Sequence, residues 1–154
     1  MASAPSYLVD TNILLRVSRQ NESQHQLIGA VLEELERHGA ALYFSIQNIA
    51  EFWNVCTRPR ERNGYGLSIS ETDRRVESIE RKMTFLPDNE RVYSNWRQLV
   101  ITYNVRGVQV HDARLVAIMQ AYGLNRILTM NEQDFLRYAN IQAVHPSQIQ
   151  HSTS

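Results

Sequence analysis

The chain has a single cysteine, Cys56, so no internal disulfide can form and a cysteine-rich zinc site is excluded. It also lacks any apolar run near the ~20 residues that a membrane-crossing helix needs. Net charge is missing too, since 16 Lys plus Arg offset 16 Asp plus Glu. Without a net positive charge there is no global attraction to nucleic acid, and any such binding must come from local patches. Residues 1–6 are too few and too uncharged for a secretory leader, so the cytoplasm is the expected location. No internal repeat, low-complexity segment or second domain stands out. What is present is an ordinary globular composition, 43% hydrophobic and 21% charged over 154 residues. That length suits one domain with one core. The expected organisation is a single domain over 1–146 and a polar, frayed tail over 147–154.

Along the chain, short apolar runs alternate with amphipathic segments. Tyr7-Leu8-Val9 reads as a first strand, and a short helix follows Asn12. Asn21-Glu22-Ser23 is a turn, with Ser23 as the cap of the next helix. There Leu27, Ile28, Val31, Leu32 and Leu35 form one stripe, with Glu33, Glu34 and Arg37 opposite. Gly39 stands just past its end, as a stop signal. Leu42-Tyr43-Phe44 is a second strand, and Ser45 caps a helix over 46–57. The run Thr57-Arg58-Pro59-Arg60-Glu61-Arg62-Asn63-Gly64-Tyr65-Gly66 is a loop. A helix over 68–83 opens with Ser70 and Asp73 as a capping-box variant. A further helix spans 89–103, with Val92, Trp96, Leu99 and Val100 inward. Val108 and Val110 lead to His111-Asp112 and another helix. Strands at 126–129 and 141–144 close the pattern. Strands alternating with helices of ten or more residues predict a parallel α/β sheet.

The first strand runs straight into Asp10, Thr11 and Asn12. Open α/β sheets hold their ligands at the carboxyl ends of strands. Asp10 alone reads as a helix N-cap. Glu51 alone reads as a solvated helix glutamate beside Gln47, Asn48 and Asn54, yet its helix starts near the same sheet edge. Asp112 suits the positive end of its helix dipole. It also lies on the stripe of Leu115, Val116 and Met119, which faces the core, so its carboxylate should sit at a pocket rim. Ala113, Ala117 and Ala121 allow that helix to pack closely on a neighbour. Thr129, Asn131 and Asp134 follow another strand and read either as turn residues or as site residues. Together these groups place oxygen-bearing side chains after three strands and on one helix. Several buried carboxylates repel one another, and a metal ion relieves that. An oxygen-only set suits magnesium or manganese, which can activate water for phosphoryl displacement.

Four pieces in this order resemble the PIN domain, and more narrowly the ribonuclease toxin of VapC type. They are Leu8-Val9-Asp10-Thr11-Asn12, Ile49-Ala50-Glu51-Phe52, Val110-His111-Asp112-Ala113-Arg114-Leu115-Val116-Ala117 and Ile127-Leu128-Thr129-Met130-Asn131-Glu132-Gln133-Asp134-Phe135. The resemblance implies a three-layer α/β/α fold with a central, mostly parallel sheet of four to five short strands. It implies magnesium- or manganese-dependent endonuclease cleavage of RNA by Asp10, Glu51 and Asp112, which would hold the cation directly or through water. Thr11 and Thr129 match supporting polar positions. The fourth family position, often Asp, falls here on the neutral Asn131. Asp134 is the nearby carboxylate able to act through water, which leaves one ion or two open. The resemblance further implies a homodimer and a separately encoded antitoxin that fills the acidic groove.

Other residues are weighed on chemistry alone. His111 should point away from Asp112 on the helix, which assigns it a structural role. Asn12 can bond Asp10, bond a phosphate or cap the helix. Arg58, Arg60 and Arg62, with Tyr65, form the densest basic and aromatic loop, and read either as an RNA contact or as a solvated loop. Arg16, Arg19 and Arg114 lie nearer the pocket in sequence. Trp53 and Trp96 are expected in the core; the homodimer that the resemblance implies would use early helices such as that of Leu27 to Leu35. A haloacid-dehalogenase-type phosphatase needs a second Asp where Asn12 stands. A catalytically lapsed RNA- or protein-binding module on the same fold is the alternative, and Asn131 is the residue in its favour.

Overall fold

The computed structural model describes residues 4–22 and 24–149. Five parallel strands form one sheet in the order β3-β2-β1-β4-β5. They are β1 (Ser6–Val9), β2 (Ala41–Ser45), β3 (Thr84–Leu86), β4 (Arg126–Leu128) and β5 (Gln142–Val144). Six α-helices join them: α1 (Thr11–Val17), α2 (His25–Arg37), α3 (Ile46–Thr57), α4 (Ile69–Lys82), α5 (Glu90–Thr102) and α6 (Val110–Ala121). The expected parallel α/β/α architecture is what the chain adopts, with five strands.

Side chains alternate across a strand, and that alternation builds the three layers. Tyr7 and Val9 of β1 join Phe44, Leu128 and the inner faces of α1, α2 and α3 in one core. Leu8, between them, joins Ile127 and the inner faces of α5 and α6 in the other. β1 is paired on both edges, so its apolar run is continuous, as a doubly covered strand requires. The edge strands β3 and β5 are three residues each, short enough to resist edge-to-edge pairing. Asn95 donates through Nδ2 to the Ala117 carbonyl, where the small Ala113 and Ala117 let α5 approach α6.

Most helix signals act as expected. Ser45 caps α3 in a reciprocal box with Asn48. Gly39, at a φ of 78°, ends α2 in the left-handed region that glycine enters without strain. The α4 cap is Ser68, whose hydroxyl accepts from the Glu71 N–H; Ser70 lies inside the helix. Both serines are followed three residues later by an acid, so spacing alone could not choose. The Ser23 cap lies outside the described residues. On α2, Glu34 is buried rather than solvated, because Arg37 and His38 one turn later each bond one of its oxygens. The α2 apolar stripe is taken up by the core. In the connector before α6, Gly107–Gln109 form a 3-10 turn, and Val108 is exposed. Trp53 and Trp96 are half-buried. Further along, His145 caps a turn at Pro146–Gln148 and Ile149 packs on the first core. Among the described residues no helix is long and apolar enough to cross a membrane.

Candidate active site

The site is built at the carboxyl ends of the central strands. The β1–β4 ladder continues one step past β1, through Asp10 N–H to the Leu128 carbonyl. Likewise Thr129 N–H bonds the Val144 carbonyl. Backbone pairing thus delivers Asp10 and Thr129 side by side, although 119 residues separate them. The Thr129 hydroxyl donates to Asp10 Oδ2 at 2.8 Å. Asp10 Oδ1 accepts from the Thr11 N–H at 2.8 Å, so Asp10 is also the N-cap of α1. Cap and candidate site residue are one side chain here. Asn12 clips the two strand ends together: its Oδ1 accepts from Met130 N–H at 3.1 Å and its Nδ2 faces Asp10 Oδ2 at 3.4 Å. Asn131 N–H donates to the Thr129 hydroxyl at 3.0 Å, while its side chain is exposed.

Glu51 is gripped by Thr11 of α1 and by Gln47 one turn earlier on its own helix. The Thr11 hydroxyl donates to Glu51 Oε2 at 3.0 Å, and itself accepts from Asn48 Nδ2 at 3.3 Å. Gln47 Nε2 donates to Glu51 Oε1 at 2.8 Å and to the His111 carbonyl at 2.8 Å. That second bond ties α3 to the first turn of α6, which carries Asp112. The His111 ring is exposed.

Electrostatics links the acids further. Burial, then the charges of Asp134, Asp10 and Glu51, push the Asp112 carboxyl up to about 7, with Arg137 pulling the other way. Burial also raises Asp10, opposed by the bonds from Thr129 and Thr11 and reinforced by Glu51 and Asp134. Even so, among the described residues no three His, Cys, Asp or Glu side chains gather tightly enough to grip one ion directly. The two observations fit together if the acids share a field across water-filled space. Mg²⁺ keeps several waters when bound, so a spaced set of carboxylates suits it.

A family model described as the PIN domain matches residues 7–141. The chain belongs to the PIN-domain family. No curated protein sequence matches it significantly. Solved structures do match in fold. VapBC2 from Rickettsia felis, bound to a promoter DNA fragment, has a TM-score of 0.67 at 13% identity, covering 91% of this chain and 98% of that one. VapBC-1 of nontypeable Haemophilus influenzae gives 0.66 at 16%, covering 93% and 99%. VapC20 of Mycobacterium tuberculosis, described as a toxin cleaving the sarcin-ricin loop, gives 0.57 at 10%, covering 79% and 86%.

The basic loop of this PIN domain is not gathered with the acids. Arg58 Nη2 donates to the Asn63 carbonyl at 3.1 Å, and its Nε is buried without a partner. Arg60 Nε reaches the Tyr65 carbonyl at 3.5 Å, and Arg62 is exposed. Gly64 packs so close to the Arg58 carbonyl that no Cβ would fit. Tyr65 is buried under the Arg19 guanidinium, 4.2 Å from its ring centroid, and is not available to stack on a base. Arg114 pairs with Asp88 at 2.7 Å, and Arg16 bonds the Asn12 carbonyl at 3.1 Å. Two contributors escaped the sequence reading. Gln47 reads as solvated beside Glu51 but is buried, and its i, i+4 relation to Glu51 was the available signal. Arg137 follows the family motif by only a few residues. It bonds Gln109 Oε1 at 2.6 Å beside the first turn of α6.

Proposed function

We propose that this PIN domain is a divalent-metal-dependent endoribonuclease, the toxin member of a toxin–antitoxin pair. The observation that carries the reading is the bridged network Thr129–Asp10–Thr11–Glu51–Gln47–His111, which leads from β4 through β1 and α3 to Asp112's helix. Asp10, Glu51 and Asp112 would hold Mg²⁺ or Mn²⁺, directly or through water, with Asp134 contributing charge. A bound cation of this kind lowers the pKa of a coordinated water and stabilises charge on a phosphate. The side chains of this chain do the rest. Thr129 and Thr11 fix the lone pairs of Asp10 and Glu51. Asn12 holds the strand ends in register. Asn131 is uncharged, so the fourth negative charge felt at the site is that of Asp134.

RNA needs cationic contacts along its backbone. Arg137 is the exposed cation whose charge reaches Asp112, and it is the side chain we assign to the phosphate near the acids. Arg58 follows the end of α3, about two helical turns past Glu51, and Arg60 and Arg62 lie beyond it in a 3-10 turn. They would meet only a strand that runs on beyond the site. The acidic groove would be capped by a cationic side chain of a separately encoded antitoxin, and the protein would act in the cytoplasm as a homodimer. The solved neighbours named VapBC and VapC20 support the toxin setting.

The test is cleavage of end-labelled single-stranded RNA with and without Mn²⁺. Cleavage that needs the metal and is lost in Asp10→Asn and Asp112→Asn supports the nuclease. RNA binding without cleavage by the parent protein supports a lapsed binding module instead.

A further inference from the structure

Gln47 makes two hydrogen bonds with one nitrogen and none with its oxygen. Both amide hydrogens of Nε2 are spent, on Glu51 Oε1 and the His111 carbonyl, each at 2.8 Å. Those acceptors also settle the orientation of the amide: turned over, its oxygen would face a carboxylate and a carbonyl. The side chain is only 7% exposed, and Oε1 is sealed from bulk solvent with no partner. An orphaned acceptor of this kind is costly unless something donates to it. Side-chain amides inside a native fold are usually satisfied, so this one is held by its nitrogen at the expense of its oxygen.

The placement matters as much as the missing partner. Gln47 is the one described residue that hydrogen-bonds both Glu51 and the first turn of α6. The spacing between Glu51 and Asp112 therefore runs through this amide. We propose that Gln47 is a positioning residue for the divalent cation. It sets the distance between the Glu51 and Asp112 carboxylates by holding Glu51 and the first turn of α6 through one amide nitrogen. This rests on the metal-site reading above. A glutamate at this position could not serve, because its oxygens would repel Glu51 and the His111 carbonyl.

Residues that orient metal ligands typically change metal affinity 10–100-fold when replaced. The experiment measures Mn²⁺ binding to the whole chain in two ways: by electron paramagnetic resonance of free ion, and by the rise in unfolding midpoint that the ion produces. The proteins are the parent, Gln47→Leu, Gln47→Glu and the length-preserving Gln47→Met. If Gln47→Leu does not fold, Gln47→Met carries the test. The expected result is a folded variant that binds Mn²⁺ at least 10-fold more weakly, with a smaller midpoint rise. Its kcat for RNA should fall while KM for RNA stays close to the parent's. A variant with a lower midpoint but an unchanged Mn²⁺ affinity and increment makes Gln47 merely structural and overturns the proposal. A parent that binds no Mn²⁺ at the acidic site, judged by an Asp112→Asn control, overturns the metal reading and this proposal together.

Discussion

The two ends of α3 hold their polar side chains in opposite ways. At the amino end, Thr11, Gln47, Asn48 and Glu51 bond across sequence separations of 37, 40 and 64 residues. At the carboxyl end, Arg58 and Arg60 bond carbonyls only five residues away. The first arrangement exists only when the whole sheet is assembled. The second is a self-contained turn. Apart from the buried Arg58 Nε, the arginines of the loop find their hydrogen bonds locally, whereas a cluster of carboxylates drawn together by long-range bonds stores repulsion that a cation can relieve. Charge density in the sequence pointed to the arginine loop. The distribution of bonds points to the acids.

Breaking the acidic end should have the largest effect. Asp112→Asn and Asp10→Asn should each lower metal-dependent RNA cleavage by a factor on the order of 100 or more, as loss of a metal-holding group does. Single-turnover assays on labelled RNA check this. The expected outcome at the arginine loop is the reverse: Arg60→Ala with Arg62→Ala should leave cleavage within a few fold.

The next effect is on stability. Thr129→Val keeps the shape of a fully buried side chain and removes the donor to Asp10 Oδ2. Leaving that oxygen less satisfied should cost about 1–3 kcal/mol, measured by urea denaturation. Truncating the exposed Arg62 should change stability by less than about 0.5 kcal/mol.

The pH response sharpens the contrast further. Asp112 is raised from 3.8 to about 7 in the folded protein. Between those values the folded form keeps a proton that the unfolded chain has released. Metal-free stability should therefore fall as pH rises from about 4 to about 7, and then level. Asp112→Asn should shrink that slope, with the raised Asp10 keeping a remainder of the same sign. Mn²⁺ should offset the loss at neutral pH. Thermal melts across the pH range provide the measurement. The smallest expected effect is on RNA binding. In an Asp10→Asn background, Arg137→Ala should reduce the salt dependence of binding by about one phosphate contact, a slope change of ~0.7. Arg60→Ala should reduce it less, as fluorescence anisotropy would show.

Much of the architecture was legible because it rests on local patterns. Tyr7-Leu8-Val9 ends in cap-forming polar residues, and the stripe of Leu115, Val116 and Met119 reports its own burial. The order of motifs around Asp10, Glu51, Asp112 and Thr129 carried the family. What stayed hidden depends on partners distant in sequence or ambiguous in spacing. Gln47 is polar and helical, and only the arrival of α6 buries it. Glu34 looks solvated until Arg37 and His38 are seen to bond both of its oxygens. Tyr65 looks like a stacking platform until Arg19 covers it. Ser68 and Ser70 compete for one cap with the same offset to an acid. In each case a helix or loop pattern tells which residues are polar, but not which neighbour completes their bonds.

The most direct measurement is the position of manganese in crystals grown with the ion, read from its anomalous scattering. The account expects a peak enclosed by the carboxylates of Asp10, Glu51 and Asp112, absent in crystals of Asp112→Asn. A well-ordered site with no peak among those three, in crystals that bind manganese elsewhere, would contradict it.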